Sequence, residues 1–222
     1  MEQTPVHEHH NPDLLSLIPI DAQRIVEVGC SSGALAREFK KLNAHCHYIG
    51  VEIDPNYAQL ARRYCDTVHL LDIELVEEAA LERDLNGDCW VFGDALEHLR
   101  DPWRLLQRIR KVLPPQGSVV VCLPNAQHWY VQARLCTGQF RYEPSGLLDR
   151  THLRWFTRQT IIEMFQEARF QIVTGFARVL TQPDNAELLP AIGQLAKLCG
   201  GDAETAKQDA MAFQYVIRAV PA

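Results

Sequence analysis

No stretch of this sequence stays apolar for anything near the roughly 20 residues that a bilayer crossing needs, and none of its seven cysteines stands in a C-x-x-C pair. The first absence leaves no candidate for a membrane-spanning helix. The second, with an odd and scattered set (Cys30, Cys46, Cys65, Cys89, Cys122, Cys136, Cys199), reads as reduced thiols packing as small hydrophobes. A structural zinc site is not expected. His45-Cys46-His47 enters a strand, where alternating residues point to opposite faces. Positive charge is also scarce, with 22 Lys and Arg against 28 Asp and Glu and a net charge of −6. That balance argues against a protein whose main task is gripping nucleic acid through its phosphates. Nor is there a repeat, a low-complexity tract or a Pro/Gly/Ser-rich linker to divide residues 1–222, so one domain is expected. The start, Met1 to Asn11, is polar and His-rich, unlike a secretory leader, and a cytoplasmic location is the expectation.

What is present is alternation. Apolar strand-like runs at 24–29, 47–53, 67–71, 89–92 and 118–123 are separated by helical patterns at 33–42, 56–64, 75–82 and 102–113. Cys89-Trp-Val-Phe92 is apolar without alternation, as a strand buried on both faces should be. Pro102 suits the first position of its helix, and Thr157 caps another running to about Ala168. Two further strands, 171–180 and 213–220, flank a helical insert at 186–211. The pattern predicts an α/β, doubly wound, seven-stranded sheet, mostly parallel with an antiparallel last strand.

The sharpest motif is Val26-Glu-Val-Gly-Cys-Ser-Ser-Gly33, a strand that turns directly into a helix. Gly29 lets the backbone turn sharply beside a ligand, and Gly33 permits close packing of the helix. The spacing is G-x-x-x-G, not the G-x-G-x-x-G of dinucleotide enzymes, because residue 31 is Ser. A carboxylate at Glu27 would repel a pyrophosphate but attract an ammonium. S-adenosylmethionine (SAM) carries an ammonium and a sulfonium and no phosphate, so charge favours it over NAD. Glu52, at the end of the second strand and about twenty residues on, can accept hydrogen bonds from ribose hydroxyls, while Asp54 caps the next helix.

From about Asn11 to Leu180 the chain resembles class I SAM-dependent methyltransferases. Glu27-x-Gly29-x-x-x-Gly33 is similar to the family's first motif and Glu52 to its ribose-binding acid. Leu71-Asp72-Ile73 is similar to the segment that meets adenine, and Asp94-Ala-Leu-Glu-His98 to the one lining the methyl end. The resemblance implies cofactor contacts from Glu27, Gly29, Ser31, Gly33, Glu52, Ile53, Asp72, Ile73, Asp94 and Leu96, with S-adenosylhomocysteine (SAH) as product and no metal. Where many members have a further glycine this chain has Ser31, which fits if its φ is negative. Taken singly, Asp72 is also a helix cap, Glu97 a solvated helix residue and His98 a partner of a backbone carbonyl.

Two segments, 124–156 and 181–211, leave the sheet on the ligand side and are expected to wall a pocket for a small acceptor. The first contains Asp149-Arg-Thr-His-Leu-Arg-Trp-Phe-Thr157, which resembles a pattern of bacterial methyltransferases. Between Arg134 and Arg158 five arginines (Arg134, Arg141, Arg150, Arg154, Arg158) face two acids, Glu143 and Asp149. Arg150 and Arg154 are therefore candidates for holding an anionic acceptor. Trp129 and Tyr130 are candidates for an apolar wall or a cation–π contact with the sulfonium. For a hydroxyl acceptor, His152 is the first candidate base and His98 the second, with Asp149 orienting His152 or acting itself. O-methylation of a small molecule is the expected reaction; a homodimer is one assembly open to the chain, whose oligomeric state the sequence leaves open. The alternatives are a binding or regulatory protein that keeps the fold without the chemistry, and a nucleic-acid methyltransferase. The second lacks support, because Gly93-Asp94-Ala95-Leu96 is not the Asn/Asp-Pro-Pro-aromatic motif of base-modifying enzymes.

Overall fold

Alternate residues of β1 (Arg24–Val28) feed two separate cores, Ile25 into one and Val26 and Val28 into the other. The same split recurs in β4 (Cys89–Gly93), whose Val91 and Trp90 face opposite ways, and in β5 (Ser118–Pro124), with Val120 opposed to Val119 and Val121. A sheet with apolar residues on both faces needs helices on both. The structure, a computed structural model, describes residues 8–222.

The remaining strands are β2 (His47–Glu52), β3 (Thr67–Leu70), β6 (Phe170–Arg178) and β7 (Gln214–Pro221). Among the described residues they form one seven-stranded sheet in the order β3-β2-β1-β4-β5-β7-β6, with β1 to β5 parallel and β7 antiparallel to both neighbours. The chain order reverses between β1 and β4, so their carboxyl ends form the crevice where doubly wound sheets bind ligands.

Two helices were not foreseen. α1 (Pro12–Leu17) is capped by Asn11, whose Oδ1 accepts from the Asp13 and Leu14 N–H groups at 3.1 and 3.2 Å, and it buries Leu14. The helices α2 (Ala34–Leu42), α3 (Pro55–Ala61), α4 (Glu78–Asp84) and α5 (Pro102–Val112) follow the expected sequence. α6 (Trp129–Cys136) then lies in the segment 124–156, capped by His128, whose Nδ1 accepts from the Tyr130 N–H at 3.2 Å. α7 (Arg158–Glu167) starts at a capping box on Thr157, as expected. The helical insert at 186–211 consists of two helices, α8 (Leu188–Leu198) and α9 (Ala203–Met211). Gly200 at φ 84° ends the first and the Asp202 side chain caps the second. No described helix is long and apolar enough to cross a membrane.

Candidate active site

The glycine turn leaving β1 is pinned from below by β2. The N–H groups of Gly29 and Cys30 both donate to the Val51 carbonyl, at 2.9 and 3.2 Å. The Glu52 carboxylate holds the turn from the side: Oε2 accepts from the Ser31 N–H at 2.8 Å, and Oε1 from the Ile53 and Asp54 N–H groups at 2.8 and 3.0 Å. Gly29 sits at φ 73°, and a Cβ there would stand 3.3 Å from the Ala95 Cβ, in the mouth of the crevice. Gly33 sits at φ 77°, and its close approach is to α3, where a Cβ would lie 3.0 Å from the Ala61 Cα. Ser31 departs from the expectation of a negative φ: it is at 48°. In this left-handed conformation its N–H reaches Glu52. Such a conformation costs a non-glycine residue about 1–2 kcal/mol.

This turn opens into a cavity of about 980 Å³, at the upper end of small-molecule clefts. Glu27, Gly29, Ser31, Glu52, Ile53, Asp72, Ile73 and Asp94 all line it. Gly33 and Leu96 do not. Gly33 is the N-cap of α2, and Leu96 points into the core beneath β4. Asp72 is a cap as well as a wall, accepting from the Glu74 N–H at 3.0 Å. Asp54 caps α3, as read from the sequence.

Burial pushes the Glu27 carboxyl up to about 8, against the lowering effect of the Tyr48 hydroxyl, which donates to Oε2 at 3.0 Å; the nearby Glu52 adds to the rise. An acid held in its neutral form at the floor of a cleft becomes a carboxylate once a cation settles beside it.

At the other end of the cavity, the turn after β4 meets the segment following β5. Leu153 and Arg154 both donate their N–H groups to the Glu97 carbonyl, at 2.8 and 3.0 Å. That clasp brings Glu97, His98 and His152 together, with one donor atom from each lying within 4.8 Å of the others. Glu97 is not the solvated residue its helical context suggested: it is 0% exposed, and among the described residues neither carboxyl oxygen has a hydrogen-bond partner. His152 Nε2 lies 4.0 Å from its Oε1. Burial holds the Glu97 carboxyl well above the usual carboxylate range, helped by Asp94. Burial also lowers His98, and it takes His152 down to about 4 with His98 reinforcing the shift. Both imidazoles are therefore neutral at pH 7.

Asp149 lines this end too: its carbonyl accepts from the His152 backbone N–H at 3.2 Å, its charge acts on the His152 ring, and its carboxylate supports His98 through Thr151. Its Oδ1 accepts from the Thr151 N–H at 2.8 Å and hydroxyl at 2.6 Å, and the Thr151 oxygens meet His98 Nδ1 at 3.1 and 3.2 Å.

Residues 8–174 match the family described as methyltransferase domain. The chain belongs to that family. The curated relatives it matches include a ubiquinone biosynthesis O-methyltransferase from each of two strains of Rhodopseudomonas palustris. One is 25% identical over 75% of this chain and 62% of the relative. The other is 26% identical over 59% of this chain and 52% of the relative. The chain thus spans between half and two thirds of their length. Among solved structures, a SAM-dependent methyltransferase of Thermotoga maritima superposes with a TM-score of 0.62 at 15% identity, over 95% of this chain and 86% of that one.

Within this methyltransferase domain, several residues marked in the sequence lie away from the cavity. Trp129 is turned by α6 onto α8 and α9, where it packs with Ile192 and Ala210. Tyr130 donates to Glu143 at 2.6 Å and carries the Arg134 guanidinium on its ring, 4.8 Å from the centroid. Arg154 donates to the Leu153 and Arg100 carbonyls. Arg158 pairs with Asp209 at 2.8 Å. Of the five arginines, Arg150 is the one on the cavity wall. The segment 124–156 contributes wall residues from Ser145 to Leu153, whereas none of 181–211 reaches the cavity. Sequence reasoning missed Glu97 as a buried group, Thr151 as its neighbour's support, and Gln214, whose amide donates to Asp94. The string Asp94-Ala-Leu-Glu-His98 was the available signal, but only the fold shows which of its acids is buried.

Proposed function

We propose that this chain transfers a methyl group from SAM to a hydroxyl of a small-molecule acceptor. The observation that carries the reading is that one cavity joins two chemistries. At one end is a glycine turn ringed by Glu27, Glu52 and Asp72; at the other is a buried carboxyl–imidazole cluster. At Gly29, φ is 73° and a Cβ would crowd the Ala95 Cβ at 3.3 Å, so the turn stays bare backbone where it lines the cavity, which suits a ligand lying against it. SAM supplies a methyl group already activated on a sulfonium. Glu27 answers its ammonium. Asp72 and Glu52, each held by backbone N–H groups, present their remaining lone pairs to its adenosine portion.

The chain's own contribution is alignment and proton handling. Residues 145–153 place the acceptor against the Glu97–His98–His152 end, so that its oxygen faces the methyl end of the cofactor. Arg150 holds an anionic group of the acceptor. The segment 124–156 is the acceptor-side insert of a single domain, and the segment 181–211 supports it through Trp129 without touching the ligand. The names of the relatives, ubiquinone biosynthesis O-methyltransferase, agree with oxygen as the methylated atom.

The test is SAH formation from SAM with a panel of mono- and dihydroxy aromatic acids, set beside the same compounds without the hydroxyl. Turnover confined to hydroxylated members supports the proposal. Turnover on amines alone would replace oxygen with nitrogen, and no turnover together with no SAM binding would end the reading.

A further inference from the structure

The Glu97 carboxyl is the least reconciled group in the molecule. It is fully buried, it lines the cavity, and none of the described residues hydrogen-bonds to either oxygen. Burying an ionisable group without a partner is costly, and native structures avoid it unless a missing ligand completes the site. Two imidazoles face it, with His152 Nε2 at 4.0 Å and the His98 ring edge-on to His152 at a centroid distance of 4.9 Å.

The hydrogen bonds around His98 decide which of its nitrogens is available. Thr151 Oγ1 spends its only proton on Asp149 Oδ1 at 2.6 Å, so at 3.1 Å it can only accept from His98 Nδ1. The Thr151 carbonyl, an obligate acceptor, lies 3.2 Å from the same nitrogen. Nδ1 therefore carries the proton, and the Nε2 lone pair points away from this support. A carboxylate acting through a hydroxyl to fix an imidazole tautomer is the outer-shell arrangement of metal-bound histidines.

We propose that Glu97, His98 and His152 bind a divalent first-row transition ion, and that the ion takes the acceptor hydroxyl as a further ligand. This rests on the methyl-transfer reading above and supplies its missing chemical step. Two imidazoles and one carboxylate suit zinc, cobalt or iron better than magnesium or calcium, which prefer oxygen alone. Bonds of about 2.0–2.2 Å would put tetrahedral donors about 3.4 Å apart. The present spread of up to 4.8 Å would have to contract by about 1.4 Å on binding. Three protein ligands leave open positions on the cavity side, as in catalytic metal sites.

The bound ion acidifies the acceptor hydroxyl. Its O–H bond breaks with the proton passing to cavity water. The oxygen lone pair then forms the O–CH₃ bond as the S–CH₃ bond breaks, leaving that electron pair on sulfur. His152 thereby serves as a neutral ligand instead of the base expected from the sequence. The donors come from two segments distant in sequence, joined through the Glu97 carbonyl and the contacts of Thr151 with His98.

The test is titration of EDTA-treated protein with Co²⁺, read by visible absorption and by calorimetry, with a parallel titration with SAM. The expected result is one ion per chain with d–d bands of a nitrogen-containing site. Glu97→Gln and His152→Gln should each weaken Co²⁺ binding by at least a hundredfold while SAM binding and the thermal midpoint hold. His9→Gln with His10→Gln should change nothing. The site is overturned if Co²⁺ does not bind stoichiometrically, or if binding survives both cluster variants and disappears with the two N-terminal histidines. SAM binding without metal binding overturns the metal site alone. Loss of SAM binding in the wild type removes the methyl-transfer reading itself.

Discussion

If the cationic end of SAM settles beside Glu27, binding must expel a proton. In the ligand-free protein this carboxyl is held up to about 8, so at pH 7 about nine-tenths of the molecules carry the proton. Pairing with an ammonium drives the group to its carboxylate form, and about 0.9 proton leaves per SAM bound at that pH. From pH 6 to pH 7 the fraction ready to bind rises about tenfold, equivalent to about 1.4 kcal/mol, and the apparent Kd falls by the same factor. The ammonium of the ligand, with an ordinary α-amino pKa of about 7.7–8.0, stays protonated over that window and does not confuse the reading. Calorimetry at pH 6.5–7 in buffers of different ionisation enthalpy measures the release directly. In Glu27→Gln the buffer dependence and the pH slope should both vanish. A wild type that releases no proton, or a variant that still releases one, would refute the assignment of Glu27. The same group sets the pH trend of the ligand-free fold. A carboxyl whose folded pKa lies above its unfolded value stabilises below the unfolded pKa, and that contribution is lost as pH rises from about 4.5 to about 8. Glu97 acts in the same direction.

Other substitutions separate backbone roles from ligand roles. Gly33→Ala forces a left-handed alanine and sets its Cβ 3.0 Å from the Ala61 Cα; a loss of at least about 2 kcal/mol should lower Tm by about 4–8 °C. Ser31→Gly relieves a residue at φ 48° and should raise stability by about 0.5–1 kcal/mol without weakening SAM, as urea unfolding will show. Arg150→Ala should raise the KM for an anionic acceptor about tenfold or more, the scale of a charged hydrogen bond. Arg154→Ala should leave KM unchanged, because its guanidinium already serves backbone carbonyls. Equal effects of the two would dissolve the distinction between them.

The fold was readable because its signals are local. β1, β4 and β5 are apolar on both faces, and Thr157, Asp54 and Pro102 mark helix starts by chemistry that acts within a turn. α1 is too short to show a helical period in sequence. α6 follows so closely on β5 that its aromatics look like pocket wall, yet helical rotation carries Trp129 onto α8 and α9. That Glu27, Gly29 and Glu52 would line one cavity was legible for the same reason as the fold, since Glu27 and Gly29 share one strand end and Glu52 closes the next. Gly33 and Leu96 belong to those motifs but act through packing. The carboxyl–imidazole cluster at the other end was not legible. The burial of Glu97, the tautomer of His98 and the reach of Asp149 all depend on Thr151 and Leu153 arriving from a distant segment.

The central claim is that the turn from Gly29 to Gly33, with Glu52 beneath it, holds SAM. Equilibrium titration of the protein with SAM, SAH and NAD tests it most directly, with Gly29→Arg and Glu52→Ala alongside. SAM and SAH should bind and NAD should not; Gly29→Arg should abolish binding by filling the crevice mouth, and Glu52→Ala should weaken it. Binding of NAD in preference to SAM, or SAM binding indifferent to Gly29→Arg, would contradict it.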